Sequence, residues 1–416
     1  VTQPGDYFNT SSNTLTLNIS QELTADWSLA SSLVDSRYEE DLFEHRYTDH
    51  VSESVIELAA LRRKGRAGIQ ASSTWVTGVV DSGTIEHKIL FGFDRASRIT
   101  TNKIDRANSI ATFDVLNPTY VERDISLYEF ESWENGGKLL TRGVYAQNHM
   151  TRGDLQLLLG TRLENFTSQP DDEDSRKTSD LVSRLGIVYE LSSTASLYAS
   201  FIEGFEPPDT EINIPEYGGP FEALESVLAE IGTKAELLDS RLFMTASVYE
   251  IIKRNIVVWA NDPNNPDLYY QRGEERSRGI EWEANGKLSS RFRLLLNFSH
   301  NDARVTKDEN KNKEGDRKIG APLNAAATWL KYNSKNGLGF GLGFHYVDQR
   351  KTFDDDLNIP EYLIYNASLF YKTDSIDVNL SGKNLTNKIH WTGGYNYGRM
   401  FPGRPLTFEL SARWKI

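Results

Sequence analysis

Cysteine and long apolar segments are both missing from this sequence. None of the 416 residues is a cysteine, which excludes disulfide bonds and metal sites built on thiolates. No segment approaches the roughly 20 consecutive apolar residues that a membrane-spanning helix needs, so a helical membrane protein is excluded. No N-terminal segment has the composition of a signal peptide, and we therefore expect the sequence to be mature, trimmed or partial.

Positive charge and catalytic signatures are also scarce. Lys and Arg number 46 against 59 Asp and Glu, which gives a formal net charge of −13. Domains that bind nucleic acid carry a basic surface, so this balance argues against nucleic acid as a partner. No H-E-x-x-H motif joins any of the seven histidines, and no G-x-S-x-G turn occurs. The sequence therefore predicts that the protein is not an enzyme.

Acidic segments raise the question of a calcium site. "DENKNKEGDRKIG" begins at Asp308 like an EF-hand loop, but Lys313 and Ile319 stand where glycine and glutamate are required. The acidic runs at 171–174 and 354–356 could hold calcium, although solvated loop tips are the favoured interpretation. We predict no metal site and no cofactor.

What the sequence does contain is apolar residues at every second position. In "RPLTFELSARWKI", which ends the chain, Phe408, Leu410 and Trp414 alternate with polar residues. About 17 segments of about 10–16 residues show this period of two, which is typical of β-strands. "GLGFGLGFHYV" is one of them, and its glycines indicate a wall against which something packs closely rather than a nucleotide-binding loop.

The connections between these segments alternate between short and long. The short ones are predicted near Thr24–Asp26, Asp81–Thr84, Thr151–Asp154, Ser192–Thr194, Leu238–Ser240, Leu288–Ser290, Ser334–Gly337 and Thr373–Ser375. The long ones are predicted near Asp41–Ser52, Thr101–Gly137, Thr167–Arg176, Glu206–Ala223, Asn261–Leu268, Thr306–Pro322, Asp354–Pro360 and Ile389–Arg404. Tight turns at one end and long loops at the other are typical of outer-membrane β-barrels.

A soluble sandwich or propeller is the alternative fold. The segments are closer to the 9–11 residues of a tilted spanning strand than to the 5–6 usual in soluble sheets. No repeat of about 40–50 residues indicates a propeller. We therefore predict an all-β, transmembrane, antiparallel up-and-down barrel. Its last strand should close the sheet, with Trp414 facing lipid near the periplasmic interface and with Arg413 and Lys415 facing the lumen.

Several longer stretches resemble one known family. They are "ASLYASFIEGFEPP" from Ala195, "GEERSRGIEWEANGKL" from Gly273 and "SGKNLTNKIHWTGGYNYGRMFPGRPLTFELSARWKI" from Ser381. These stretches resemble the barrel strands of TonB-dependent siderophore receptors of the Gram-negative outer membrane. The resemblance is strongest over 140–416 and looser over 1–139.

The resemblance implies a barrel of the 22-strand type with an N-terminal plug. This chain has no plug-like segment and about five strands too few for that barrel. A wall lacking strands would leave unpaired edges in lipid. We therefore expect residues 1–416 to be a partial barrel from a longer chain, with Thr14–Leu23 as its sixth strand.

The function that the resemblance implies is uptake of a ferric siderophore, with iron carried as cargo. The implied partners are the siderophore, the TonB–ExbB–ExbD system acting through the plug, outer-membrane lipid and lipopolysaccharide. The alternatives are a passive porin, a TonB-dependent receptor for cobalamin or an oligosaccharide, and a soluble β-protein that binds glycans through loop aromatics.

Candidate ligand contacts lie in or beside the long loops. They are Tyr217, Trp259, Tyr269, Tyr270, Trp391, Tyr395, Tyr397, Arg272 and Arg399. Aromatic rings bind bulky, partly apolar chelates with little loss of entropy, although the same residue types also form membrane-interface belts. Arg272, Arg276, Arg278 and Arg399 could attract an anionic chelate, and ion pairing with loop carboxylates is the favoured alternative.

Overall fold

A computed structural model of the chain describes residues 3–120, 124–171, 173–209, 212–260, 262, 264–265, 267–353, 357–395 and 399–414. Tyr397, Lys415 and the acidic run at 354–356, all singled out in the sequence, lie outside these residues.

Antiparallel strands dominate the described residues. They are β1 (Tyr7–Glu22), β2 (Trp27–His50), β3 (Val55–Ser82), β4 (Ile85–Asp114), β5 (Glu131–Arg152), β6 (Leu155–Pro170), β7 (Arg176–Ser192), β8 (Ala195–Glu206), β9 (Leu224–Leu237), β10 (Leu242–Trp259), β11 (Tyr269–Lys287), β12 (Phe292–Lys307), β13 (Asn324–Asn333), β14 (Leu338–Val347), β15 (Arg350–Lys351), β16 (Asn358–Ile359), β17 (Tyr362–Lys372), β18 (Ile376–Lys383), β19 (Trp391–Gly394), β20 (Met400–Pro402) and β21 (Thr407–Trp414). Short 3₁₀ turns occur at Ile125–Leu127, Pro215–Tyr217 and Lys311–Lys313.

The strands form one 17-stranded antiparallel sheet in chain order. Each strand pairs with the next, except that β14 pairs with β17 and β18 pairs with β21. The strands skipped in this way form two small hairpins, β15–β16 and β19–β20, inside long loops. The predicted all-β, up-and-down meander is confirmed. None of the described residues forms a helix that is long and apolar enough to cross a membrane.

All eight short connections occur where the sequence predicts them. Gly83 and Thr84 join β3 to β4, and Gly153 with Asp154 joins β5 to β6. Gly83 has φ +69° and Gly153 has φ +55°, the left-handed backbone that glycine adopts without steric cost. We call this edge of the sheet the turn end and the opposite edge the loop end.

Two of the predicted long loops are wrong in extent. Most of Asp41–Ser52 belongs to β2, and much of Thr101–Gly137 belongs to β4 and β5. The 28 residues of β3 and 30 of β4 far exceed the expected segment length. Past the apolar band the sequences of these strands no longer alternate strictly between apolar and polar residues, although the backbone ladder continues. The other loops fall close to their predicted places.

The two faces of the sheet differ as the alternation predicts. Leu410 lies opposite Leu380, and Leu380 lies opposite Leu369, so apolar side chains continue from strand to strand. Leu410 is 70% exposed on this apolar face. Glu409 lies on the other, polar face opposite Ser381. Within β21 this alternation places Trp414 with Leu410 and Arg413 with Glu409.

The polar face brings large rings over glycines. A Cβ at Gly341 or Gly343 would overlap the ring of Trp329 on the neighbouring strand, and one at Gly339 would overlap Phe370. The close packing predicted for the glycine-rich strand is therefore confirmed.

The loop end of β2, β3 and β4 carries its own apolar cluster. Its buried members are Phe43, Ala60 and Ala107. Beside it, the Nδ1 atom of buried His45 lies 2.6 Å from Oδ1 of Asp6, and its Nε2 lies 3.0 Å from the hydroxyl of Tyr128. These contacts fasten the segment before β1 and the loop before β5 onto β2.

Closure by the last strand is not seen in the described part of the chain. There β21 pairs with β18 and with no second strand, and β1 pairs with β2 alone.

A charge placed on the apolar face should destabilise the sheet more than one on the polar face. We expect Leu410→Arg to lower the free energy of unfolding by about 2 kcal/mol or more. Glu409→Arg should cost much less, since it removes an exposed ion pair with Lys383 (3.2 Å). Denaturant titration after refolding into lipid vesicles measures both variants. Equal losses, or a larger loss at Glu409, would show that the faces are assigned the wrong way round.

Candidate ligand-binding site at the loop end

Three of the predicted aromatic residues meet where β10 ends and β11 begins. Trp259 and Tyr269 are directly opposite each other in the ladder, and the Tyr217 ring lies 6.4 Å from the Tyr269 ring at 77°. Gly218, at φ +94°, lies so close to the Tyr269 carbonyl that a Cβ would not fit there, which holds Tyr217 in place. We call Tyr217, Trp259 and Tyr269 the first aromatic cluster. With Trp259 49% exposed, this cluster offers ring surface to a bulky ligand.

A second aromatic cluster surrounds Tyr395. Its ring lies 6.2 Å from Phe353 and 5.6 Å from Phe401, and all three side chains are exposed. The predicted Trp391 lies opposite Pro402 in the adjoining β19–β20 hairpin.

Phe353 and Phe401 of the second cluster were missed by the sequence analysis. Both are aromatic residues in polar loop sequence without alternation, a signal that could have found them. The predicted Arg399 is exposed, and its carbonyl accepts a hydrogen bond from the Tyr395 N–H (2.9 Å).

Two other predicted residues hold a loop rather than face solvent. Asp308 is fully buried; it accepts hydrogen bonds from Nε of Arg272 (2.8 Å) and from the hydroxyl of Tyr270 (3.3 Å). Arg272 also pairs with Glu275 (2.7 Å). Burial acts to lower the pKa of Arg272, but its bonds with Glu275 and Asp308 outweigh that effect, so the pKa is raised. This network attaches the loop after β12 to the start of β11.

Glu274 strengthens the same attachment. It accepts hydrogen bonds from the Thr306 hydroxyl (2.9 Å) and from Nζ of Lys307 (3.1 Å), and it pairs with Arg254 (3.3 Å). Burial acts to raise the pKa of this carboxyl, but these bonds and charges outweigh it, so the pKa is lowered. Glu274 therefore stays ionised in the folded protein at neutral pH.

Ion pairing accounts for much of the predicted basic set. Arg278 pairs with Glu250 of β10, and Arg272 pairs with Glu275 of β11 and with Asp308 in the loop after β12. Arg276 lies opposite Arg304, which itself pairs with Asp302 (2.8 Å). Contact between any of these arginines and a ligand stays a prediction. In the described part of the chain, no three His, Cys, Asp or Glu side chains are placed to hold a metal ion.

A long antiparallel meander with one apolar face, tight turns at one end and aromatic loops at the other is the wall of a membrane β-barrel. A family model described as "TonB dependent receptor-like, beta-barrel" matches residues 1–385. The chain belongs to this family, which consists of transport receptors.

Named relatives support that assignment. The ferrioxamine B receptor of Salmonella typhimurium is 29% identical over 356 residues, which cover 81% of this chain and 49% of that protein. The metal-pseudopaline receptor CntO of Pseudomonas aeruginosa is 25% identical over 361 residues, covering 80% and 49%. The chain thus spans about half the length of the curated relatives it matches.

A solved structure shares the fold. The closed form of the ferric-catecholate import receptor Fiu from E. coli K12 has a TM-score of 0.85 with this chain at 17% identity, covering 99% of this chain and 65% of that one.

Removing the charge of Asp308 should loosen its loop. Asp308→Asn keeps the size of the side chain but weakens the bonds from Arg272 and Tyr270, which should cost about 1.5–3 kcal/mol. Native-state hydrogen exchange over residues 309–323 measures the loss of protection. The control is Glu309→Gln, since Glu309 is exposed in the same loop. Wild-type protection in Asp308→Asn would contradict this account.

Acid should loosen the same loop. A carboxyl with a lowered pKa in the folded state adds stability above its unfolded pKa and loses it as the pH falls through the folded pKa. For Glu274 that loss begins below about pH 4. Exchange protection over 308–323, corrected for intrinsic rates, should therefore fall between pH 5 and pH 3. The Glu274→Gln variant should be loose at both values, and unchanged wild-type protection would refute the role of Glu274.

Proposed function

We propose that the protein is an outer-membrane receptor of Gram-negative bacteria that binds a ferric siderophore at its loop end and imports it. The observation that carries this proposal is the pair of exposed aromatic clusters at the loop end of a barrel wall from the TonB-dependent receptor family. The printed names of the relatives, receptors for ferrioxamine B and metal-pseudopaline, support this class of cargo.

The predicted contact residues divide into two roles in this proposal. Ring surface comes from Tyr217, Trp259, Tyr269, Trp391 and Tyr395, with Phe353 and Phe401 added. Tyr270 and Arg272 act through the loop that they fasten, and Arg399, being exposed, supplies positive charge to an anionic chelate. Tyr397 is included in the proposal because it lies in the predicted long loop Ile389–Arg404; it is outside the residues that the structure describes. Iron crosses as cargo, and no covalent chemistry or resident cofactor is involved.

Energy for import comes, in this proposal, from the TonB–ExbB–ExbD system acting on a plug. We infer that residues 1–416 are a partial barrel, that about five further strands complete the wall between β1 and β21, and that a plug lies inside it. Two observations support this: the chain spans about half of its relatives, and β1 and β21 each have one ladder partner in the described residues.

The alternatives are less well supported. Membership of a receptor family favours a receptor over a passive porin. The continuous, exposed apolar face favours a membrane protein over a soluble glycan-binding protein. Cobalamin and oligosaccharide are other possible cargoes, and the binding experiment distinguishes them.

Binding of ferric chelates to the full-length protein tests the proposal. A panel of ferric hydroxamate and catecholate chelates, together with cobalamin and an oligosaccharide, is titrated into the protein. Binding is followed by the change in tryptophan fluorescence. We expect one ferric chelate to bind, and Trp259→Ala/Tyr269→Ala to bind it on the order of tenfold more weakly, since buried aromatic anchors carry much of a binding energy.

The matched control is Trp133→Ala, because Trp133 is an exposed tryptophan of β5 outside both clusters. It should bind as wild type does. If only cobalamin or an oligosaccharide bound, that molecule and not a ferric siderophore would be the cargo. If the double variant bound like wild type, the first aromatic cluster would not be part of the site.

A further inference from the structure

Arg350 is a buried arginine that holds two backbone carbonyls of a neighbouring hairpin. It lies in β15, and only 8% of its surface is exposed. Its Nη1 atom donates to the carbonyl of Thr392 (2.8 Å), and its Nη2 atom donates to the carbonyl of Trp391 (2.8 Å). Both carbonyls belong to β19, so one guanidinium group fastens the β19–β20 hairpin to the β15–β16 hairpin.

The same two hairpins carry the second aromatic cluster. Phe353 lies two residues after β15, Tyr395 directly follows β19, and Phe401 lies in β20. The N–H of Phe353 also donates to the carbonyl of Tyr395 (2.7 Å). The placement of the three rings relative to one another therefore depends on how firmly the two hairpins are joined, and Arg350 supplies two of the bonds that join them.

Two histidines lie in a row of rings beside Arg350. The ring of Tyr362 lies 5.6 Å from that of His345 and 4.8 Å from that of His390, and Cζ of Arg350 lies 5.9 Å from the Tyr362 ring. Tyr362 and His390 are buried. A Cβ at Gly403 would overlap the His390 ring, so this ring is enclosed at the base of the β19–β20 hairpin.

The groups that surround these histidines are basic. The charges that act on His345 are those of Arg350 and His390. His390 has its Nδ1 atom 3.1 Å from the carbonyl of Lys388, and Arg404 lines the cleft on its other side. Among the described residues, none of His345, Arg350 and His390 lies within ion-pairing distance of a carboxylate.

The nearest carboxylates have other partners. Asp348 accepts a hydrogen bond from the side chain of Asn324 (3.0 Å). Glu361 accepts one from the hydroxyl of Tyr346 (3.2 Å), which alternation places on the opposite face of β14 from His345. In the cleft beside His390, Glu409 pairs with Lys383 (3.2 Å). A positive charge added at either histidine would therefore meet Arg350 without a carboxylate to offset it.

This arrangement makes the joint between the hairpins sensitive to acid. Histidine changes its charge between about pH 8 and pH 5, and a buried charge without a partner is costly. Release of the β19–β20 hairpin would expose the charged rings to water. The released hairpin thus binds more protons than the held one, so the joint strengthens as the pH rises and weakens as the pH falls.

We propose that Arg350 positions the second aromatic cluster, and that protonation of His345 or His390 releases this cluster in mild acid. Cargo is then held less tightly in mild acid than at neutral pH. The effect on cargo rests on the proposed function, whereas the joint between the hairpins exists without a cargo.

Native-state hydrogen exchange of the full-length protein tests the positioning role. Protection over residues 391–395 and 399–402 measures how firmly the hairpin is held. At pH 7.5, Arg350→Gln should exchange on the order of tenfold faster than wild type, because it loses hydrogen bonds from a charged group. Arg350→Lys should lie between the two, since an ammonium group lacks the planar fork that reaches both carbonyls.

The pH profile of the same exchange, corrected for intrinsic rates, tests the acid sensitivity. Wild-type protection should fall on the order of tenfold between pH 7.5 and pH 5.5. His345→Gln/His390→Asn, which does not titrate, should be equally protected at both values. The matched control His87→Gln should fall as wild type does, because His87 bonds to Ser82 at the turn end (2.7 Å).

Arg350→Gln gives a second readout, because it removes the charge that opposes protonation. Its protection should fall less with pH than that of wild type, whereas a purely structural role of Arg350 would leave the fall unchanged. This comparison and the wild-type profile decide the matter even if the double histidine variant does not fold.

Wild-type protection in Arg350→Gln at pH 7.5 would overturn the positioning role. Equal wild-type protection at both pH values, or an undiminished fall in the double histidine variant, would overturn the acid sensitivity. Exchange needs no chelate, so failure of every chelate to bind would overturn the proposed function and leave the result on the hairpins standing.

Discussion

Backbone pairing between neighbouring strands is the constraint on which this structure depends. Each strand from β1 to β21 in the large sheet hydrogen-bonds to its neighbours in an unbroken antiparallel series. In hydrocarbon an unpaired N–H or C=O costs several kcal/mol, so the wall can form only as a continuous ladder. Because the ladder uses backbone atoms, side chains on both faces and in the loops are free to serve other purposes.

The same ladder determines what the two faces can do. Alternation sends one set of side chains to each face, and on the apolar face neighbours such as Leu369, Leu380 and Leu410 line up from strand to strand. On the polar face, rings such as Tyr145 and Tyr198 cover glycines on adjacent strands. Glycine leaves room for the ring, and the ring shields the strand where glycine supplies no side chain.

The sequence predicts those parts of the structure whose cause is local. Leu410 and its alternating neighbours reveal β21 because burial of one face is recorded in consecutive residues, and Gly83 and Gly153 mark turns because the backbone there needs a positive φ. The contact of His45 with Asp6 and Tyr128 could not be predicted, since positions 6, 45 and 128 are brought together only by the register of the sheet.

Only the residue composition of the candidate site could be predicted from the sequence. Aromatic residues in long loops indicated its place, but the sequence does not separate Tyr269, which lies in a ring cluster, from its neighbour Tyr270, which bonds to Asp308. That distinction depends on which face of β11 each residue occupies. The lengths of β2 and β4 were missed for a related reason, because their loop-end parts bury only scattered apolar residues such as Phe43 and Ala107 and carry no regular apolar period.

Strand length varies systematically along the wall. β2, β3, β4 and β5 have 24, 28, 30 and 22 residues, whereas β13, β14, β18 and β21 have 10, 10, 8 and 8. If each strand spends about 11 residues in the bilayer, the first group projects far outside it and the second hardly at all. Along the described strands, the loop-end edge of the wall therefore stands far above the bilayer at β2–β5 and close to it at β13, β14, β18 and β21. Tyr395 and Phe401 of the second aromatic cluster lie in the loop between β18 and β21, beside the low part of this edge.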